Sequence, residues 1–169
     1  RQRQMCIRDS LSVSLISVAS VNADVEDAVE DGIIIIAAAS NDNLLIAPQI
    51  DPNTGTTHVD YNNYVNLGSV GGSYYYHRGS APGCSKGAVC VGSVSTWKDF
   101  RRSSFSNYGP RVDVYAPGSS IVSAYSSAGT ADSKYGGNNY FRAISGTSMA
   151  TPQVCGVMAL YLESQPQAT

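Results

Sequence analysis

A polar segment with regular apolar spacing near the start of the chain predicts a helix over residues 22–32, "NADVEDAVEDG". Its apolar residues recur at the three- and four-residue spacing that gives a helix one buried face. The residues expected on that face are Val25, Ala28 and Val29. Asn22 is the expected N-cap, because its side chain can accept a hydrogen bond from the first turn, and Gly32 is the expected C-terminal stop.

Apolar runs flank this helix on both sides. "LSVSLIS" at 11–17 predicts a short strand. "IIIIAAA" at 33–39 predicts a strand covered on both faces, because the run is continuous rather than alternating. A strand, a helix and a second strand in this order form a crossover unit, so we expect a parallel sheet.

The second half of the chain contains further apolar runs that predict strands at 88–94, 111–117 and 120–125. A final apolar pattern predicts a helix from about 148 to 163. Between the two halves, the segment at about 42–87 is rich in tyrosine, asparagine and glycine and has little periodicity, which is unusual for a loop of a compact domain. We interpret it as a tyrosine-rich insertion, either packed by its own aromatic rings or forming an edge that faces substrate.

The composition narrows the class of protein. The chain has 169 residues, of which 43% are hydrophobic and 14% charged, which predicts one folded domain rather than disorder. The formal net charge of −2 gives no reason to expect a nucleic-acid partner. No apolar run reaches the roughly 18 residues of a membrane span. Low charge with many glycines and tyrosines is typical of an extracellular or particle-associated protein.

The first ten residues differ in character from the rest of the chain, and the cysteines indicate which disulfides or metal sites are possible. Residues 1–10, "RQRQMCIRDS", are similar to translated adapter sequence, so we interpret them as non-native and exclude them from the expected fold. Cys90 and Cys155 lie in apolar patterns and are expected to be buried thiols. A Cys84–Cys90 disulfide is the alternative for Cys90, and no cysteine and histidine spacing is typical of a zinc site.

The most specific motif is "SGTSMATP" at 145–152. Ser148 lies where the last helix is expected to begin, so free backbone N–H groups and the positive end of the helix dipole would face a reacting carbonyl. Gly146 and Ala150 keep the surroundings small enough for a peptide. The motif is not the nucleophile elbow of α/β-hydrolases, because alanine stands at the last position of G-x-S-x-G.

Three blocks of sequence resemble the subtilisin-type serine proteases, closest to the proteinase K branch. They are "DGIIIIAAASN" at 31–41, "RRSSFSNYGPRVDVYAPGSSIVSA" at 101–124 and "RAISGTSMATPQVCGVMALYL" at 142–162; "VSLIS" at 13–17 is similar more loosely. The resemblance implies a three-layer α/β/α parallel sheet whose N-terminal part is missing. Residues 11–169 would then be the C-terminal part of the catalytic domain of a serine endopeptidase that forms an acyl-enzyme.

The resemblance also implies the roles of individual residues. Ser148 would be the nucleophile and would donate its own N–H to the oxyanion, and Asn41 would donate a second hydrogen bond from its side-chain amide. The alternative for Asn41 is an ordinary turn residue after a strand. A peptide or protein substrate would be bound at the cleft wall and the specificity pocket. The wall residues would be Ser14 and Leu15, and the pocket residues Ala38, Ala39 and Ser40.

The sequence departs from the family pattern at several positions. Ile16 and Ser40 stand where the family usually has glycine, and Gln153 replaces a common histidine that is not the base. The family's catalytic order is Asp, His, Ser, yet no histidine precedes Asn41.

His58 and His77 follow the asparagine, and "GTTHVD" at 55–60 lacks the first histidine of the family's "HGTH" block. The order His58, Asp113, Ser148 matches that of chymotrypsin, but chymotrypsin is all-β and its serine lies in a different motif. We therefore expect the missing N-terminal half of the domain to supply the aspartate and histidine, and the isolated fragment to be inactive. The alternative is a non-catalytic relative that binds peptides or builds a particle.

Asp113 has one further implied role. In the proteinase K branch, the corresponding aspartate contributes to a calcium site together with backbone carbonyls of the preceding strand, so the resemblance suggests calcium as a structural ion. The alternative is a strand residue that accepts hydrogen bonds. The family's proline beside that strand is absent here, and no metal ligand is assigned.

Overall fold

The computed structural model describes residues 5–7, 19–43, 46–47, 69–70, 73–74, 76–77, 81–83, 85, 87–95, 99–109, 111–126, 133–135 and 139–166. The helices are α1 (Ala19–Glu30) and α2 (Thr147–Ser164). The strands are β1 (Met5–Ile7), β2 (Ile34–Ala38), β3 (Ile46–Ala47), β4 (Ser69–Val70), β5 (Ser73–Tyr74), β6 (Tyr76–His77), β7 (Val89–Val94), β8 (Val114–Pro117), β9 (Ile121–Tyr125), β10 (Ser133–Tyr135) and β11 (Asn139–Ile144). The strand predicted at 11–17 lies outside the described residues, as does most of the tyrosine-rich segment.

The central element is a parallel four-stranded sheet in the order β1-β2-β7-β8. On one face, Val25 of α1 packs with Ile35 and Ala88. On the other face, Ile36 and Val91 pack with Ala150 and Cys155 of α2, among others. One helix on each face gives the three-layer α/β/α arrangement that the sequence predicts, and neighbouring residues of β2 enter opposite cores because side chains alternate along a strand.

The first helix ends as predicted but begins earlier. Gly32 adopts a φ of +83°, and its N–H donates to the carbonyl of Val29 while the N–H of Ile33 donates to Ala28. This pair of bonds is the Schellman motif, which favours glycine. The N-cap prediction for Asn22 is wrong, because α1 begins at Ala19 and Asn22 lies one turn inside it. Asn22 is only 1% exposed, and its side-chain oxygen accepts a hydrogen bond from the Ser85 hydroxyl at 2.8 Å.

In the second half, β7, β9 and α2 agree with the predicted elements to within about one residue. The strand predicted over 111–117 begins only at Val114. Two strands of the antiparallel sheet β10-β11-β9 were not predicted, and the last of them leads directly into the turn before α2.

The buried cysteines, strand β1 and the polarity of the helices bear on further predictions from the sequence. Cys90 and Cys155 are both buried, as expected. Burial raises the pKa of the Cys155 thiol. Cys84 lies outside the described residues, so a Cys84–Cys90 bridge stays an open alternative. Strand β1 lies within residues 1–10 and pairs with β2, so the sheet includes part of the segment interpreted as non-native, whose origin stays a prediction. Among the residues described, neither helix is long and apolar enough to cross a membrane.

Candidate active site

Ser148 is the second residue of α2 and is half-buried. The backbone N–H groups of a first helical turn have no acceptor within the helix, so the N–H of Ser148 is available to a ligand. Gly146 precedes the helix, and its N–H donates to the carbonyl of Gly118 at 2.8 Å. The end of β8 therefore holds the turn that carries Ser148.

Asn41 lies beside this turn because β2 ends at Ala38, next to the N-terminus of α2. Its side-chain oxygen Oδ1 accepts hydrogen bonds from the Thr147 N–H at 2.8 Å and the Thr147 hydroxyl at 3.0 Å. Because both bonds engage the oxygen, the amide nitrogen Nδ2 is turned away from Thr147. Thr147 is itself fully buried, and its carbonyl accepts from the Thr151 hydroxyl at 2.9 Å.

Two nitrogen donors lie near the position that Gly146 leaves without a side chain. A Cβ atom there would lie 3.6 Å from Asn41 Nδ2, 3.7 Å from the Ser148 nitrogen and 3.4 Å from Met149 Sδ. Both nitrogens are therefore close to one point at the start of α2. Such an arrangement can stabilise an oxygen atom that gains negative charge when a nucleophile attacks its carbonyl carbon.

A buried asparagine from the second sequence block holds both neighbours of Asn41. The N–H of Asn107 donates to the Ser40 carbonyl at 3.1 Å, and the Asn107 side-chain oxygen accepts from the Asp42 N–H at 3.1 Å. Asn107 is 2% exposed. The sequence indicated this block only as part of the resemblance, and the "SNYG" within it was the available signal for a role beside Asn41.

Further contacts fix the same loop. The Asn43 N–H donates to the Phe105 carbonyl at 2.8 Å, and the Asn43 side chain accepts from the Arg102 guanidinium at 2.9 Å. Beneath them, buried hydroxyls connect Ser93 to Ser103 at 2.8 Å and Ser103 to Ser119 at 2.7 Å. The 101–107 segment therefore contacts the residues around Asn41 through several hydrogen bonds.

The residues predicted for the pocket lie at the end of β2. Ala38 and Ala39 are buried, and Ala39 packs with Ile46 and Cys90 in the core, so its backbone is the part available to a pocket. Ser40 is half-buried and adopts a φ of +75°, the left-handed region that favours glycine. This conformation gives a physical reason for the glycine usual at that position.

The other residues that the sequence suggested for the site either have different contacts or lie outside the described residues. Ser14, Leu15, Ile16 and His58 lie outside the described residues, and His77 lies in β6, where it pairs with Ala47. Gln153 donates to the Pro117 carbonyl at 2.5 Å and to Met149, so it joins α2 to the end of β8. No described side chain forms a hydrogen bond with the Ser148 hydroxyl.

Asp113 lies just before β8, and its carboxylate oxygen Oδ2 accepts a hydrogen bond from the Cys90 N–H at 2.7 Å. This contact agrees with the interpretation of Asp113 as a hydrogen-bonding residue of the sheet. Within the part of the chain that the structure describes, no cluster of three or more histidine, cysteine, aspartate or glutamate side chains could hold a metal ion.

Known proteins resemble the chain in sequence. It is 46% identical over 84 residues to the alkaline proteinase of Hapsidospora chrysogena, covering 50% of this chain and 18% of that protein. It is 49% identical over 87 residues to subtilisin-like protease 3 of Trichophyton equinum, covering 52% and 18%. The chain therefore matches less than a fifth of the length of these curated relatives.

Solved structures resemble it in fold. A protease from Pseudoalteromonas arctica superposes with a TM-score of 0.65 at 26% identity, over 98% of this chain and 40% of that one. A cold-adapted subtilisin-like serine proteinase gives a TM-score of 0.53 at 28% identity, over 95% and 41%. The sequence profile of the subtilase family, Peptidase_S8, matches residues 7–169. With nearly the whole chain matched and the parallel sheet in place, the chain belongs to the subtilase family.

Proposed function

We propose that the protein containing this chain is a serine endopeptidase that hydrolyses peptide bonds through an acyl-enzyme. Ser148 is the nucleophile, and the Ser148 N–H and the Asn41 amide bind the oxyanion. The observation that supports the proposal is the pair of hydrogen bonds from Thr147 to Asn41 Oδ1, because they engage the oxygen and leave Nδ2 to donate to another acceptor.

The chemistry follows from these positions. The Ser148 oxygen attacks the carbonyl carbon of the scissile bond as a base removes the hydroxyl proton, and the carbonyl oxygen becomes negatively charged. Collapse of this tetrahedral intermediate expels the amine and leaves an ester on Ser148, which water then hydrolyses. Donors fixed in advance stabilise the charge without reorganising, and in subtilisin itself the loss of one such donor costs roughly 2.7–4 kcal/mol.

The base comes from outside the described residues. No described side chain engages the Ser148 hydroxyl, and the family's catalytic aspartate and histidine precede its serine in the sequence. We therefore assign both to the N-terminal half of the domain, upstream of this chain. The 169-residue chain alone is then inactive.

The substrate is a peptide or protein in extended conformation. The segment containing Ser14 and Leu15 offers its backbone as a strand partner, and Ala38, Ala39 and Ser40 line the pocket for the side chain before the scissile bond. An extracellular or particle-associated location fits such a hydrolase and the composition of the chain.

The test is peptidase activity of the full-length protein with and without Ser148→Ala. We expect hydrolysis of unstructured protein substrates, stoichiometric labelling by a fluorophosphonate probe, and loss of both in the variant. A full-length protein that binds peptides but shows neither hydrolysis nor labelling would instead be the non-catalytic relative.

A further inference from the structure

Arg111 is the most deeply buried charged side chain, among the described residues, that the catalytic proposal does not use. The residue is 3% exposed and lies just before β8. One guanidinium nitrogen, Nη1, donates to Asp113 Oδ2 at 2.6 Å, and the other, Nη2, donates to the Ala88 carbonyl at 2.9 Å. Nη2 also faces the Ser85 carbonyl at 3.5 Å.

The oxygens around this guanidinium are the kind that bind calcium. A carboxylate and backbone carbonyls from the segment just before β7 form a typical set of hard ligands, and calcium binds such oxygens at about 2.3–2.6 Å. The guanidinium nitrogens already lie within 2.6–2.9 Å of two of these oxygens. An ion bound to the same oxygens would overlap the guanidinium and would be repelled by its charge.

We infer that Arg111 is a built-in cation that occupies the position where the family resemblance implies calcium. The Asp113 carboxylate and the Ala88 carbonyl do not fit a metal while Arg111 is present. This inference does not depend on the catalytic proposal, because it concerns how β7 and β8 are held together.

The burial of Arg111 makes its pairing with Asp113 important. Its Nε atom has no hydrogen-bond partner among the described residues. Only the two terminal guanidinium nitrogens therefore form the hydrogen bonds that offset the burial of the charge. Asp113 is about half exposed, whereas the Arg111 side chain is almost fully enclosed. Removing the carboxylate therefore leaves an unpaired buried cation, which is more harmful than removing both charges together.

The inference predicts a specific response to calcium. The melting temperature of the full-length protein is measured in excess calcium and in excess chelator for the wild type, Asp113→Asn, Arg111→Leu and the double variant. We expect the wild type and Asp113→Asn to respond equally to calcium, because any response comes from other sites. Arg111→Leu frees the oxygens and should show an additional stabilisation by calcium that the double variant lacks.

Arg111→Lys is the matched control, since it keeps the positive charge and should gain no calcium response. If the Arg111 variants do not fold, isothermal titration calorimetry can measure calcium binding to the wild type and to Asp113→Asn. We expect the two proteins to bind calcium with equal stoichiometry. A calcium response or a bound ion that the wild type has and Asp113→Asn lacks would overturn the inference. A folded Arg111→Leu protein with no added response to calcium would overturn it as well.

Discussion

The side-chain oxygen of Asn41 accepts two hydrogen bonds from Thr147, a residue 106 positions later in the sequence. Thr147 is the immediate neighbour of Ser148, so the residue beside the proposed nucleophile also orients the proposed oxyanion donor. Because an amide that accepts through its oxygen must present its nitrogen elsewhere, these bonds fix where Nδ2 donates. These bonds therefore couple the position of Asn41 to that of the first residue of α2.

Removal of the Asn41 amide tests the proposed oxyanion role. If the full-length protein is the proposed peptidase, Asn41→Ala should lower kcat by about 10²–10³ with little change in KM, because its bond to the substrate forms mainly in the transition state. Asp42→Ala is the control, since that side chain is exposed and forms no hydrogen bond among the described residues. An increase in KM with kcat preserved would show that Asn41 binds the ground state instead.

Removal of the Asn107 side chain tests the support beneath the same loop. Asn107→Ala deletes the acceptor of the Asp42 N–H, which should lower the free energy of unfolding by on the order of 1 kcal/mol. It should also lower kcat by at least about 10-fold, because small displacements of catalytic groups are costly.

The conservative variant Asn107→Asp keeps an acceptor oxygen and should recover part of the lost kcat. Steady-state kinetics and thermal melting on the same samples separate the two effects. Reduced stability with unchanged kcat would mean that Asn107 supports the fold but not the position of Asn41.

Some elements of the fold follow from local sequence signals, whereas others depend on long-range contacts. The β2 strand and the α2 helix were predictable, because a continuous β-branched run and an apolar helix pattern are local signals. The local sequence predicted Asn22 as a helix cap. Its actual partner, Ser85, is 63 residues away and so leaves no signal in the local pattern.

Long-range contacts also determine the environment of Arg111 and the strand β11, which precedes the turn that carries Ser148. Arg111 has no local signal of burial in "GPRVDV", and its buried position depends on contacts with Ala88, 23 residues earlier in the chain. Strand β11 carries a mixed polar and apolar sequence, so its pairing with β9 specifies it more than its own pattern does. The resemblance implied that Ser148 and Asn41 bind the same oxyanion, but the hydrogen bonds from Thr147 to Asn41 were not predicted.

The backbone at Ser40 provides a test of strain next to the site. A φ of +75° costs a residue with a Cβ about 1–2 kcal/mol relative to glycine. Glycine in turn loses roughly 0.5–1 kcal/mol of stability, because its unfolded state has more conformational entropy. Ser40→Gly should therefore raise the melting temperature by about 2–4 °C or less.

The comparison variant is Ser104→Gly, at an exposed serine that is not among the residues with positive φ, and it should lower the melting temperature. If the two glycine variants changed stability in the same direction, the strain at Ser40 would not be the cause.

The outer face of α2 predicts how the isolated chain behaves. Val157 and Leu160 are 65% and 67% exposed, and Tyr161 lies beside them at helical spacing. An apolar face of this kind favours association, so we expect the 169-residue chain to self-associate in sedimentation experiments.

A Val157→Glu, Leu160→Lys double variant should reduce this association. A monomeric wild-type chain with a sharp and reversible thermal transition would contradict the expectation.

The most direct measurement is intact-mass analysis after treatment with a fluorophosphonate probe, which reacts with an activated serine. We expect the full-length protein to gain one probe at Ser148 and Ser148→Ala to gain none. The 169-residue chain alone should also gain none, because the proposed base lies upstream of it. An added N-terminal half that docks with the chain should restore some labelling. Rapid stoichiometric labelling of the 169-residue chain by itself, lost in Ser148→Ala, would contradict the account and place the base within these residues.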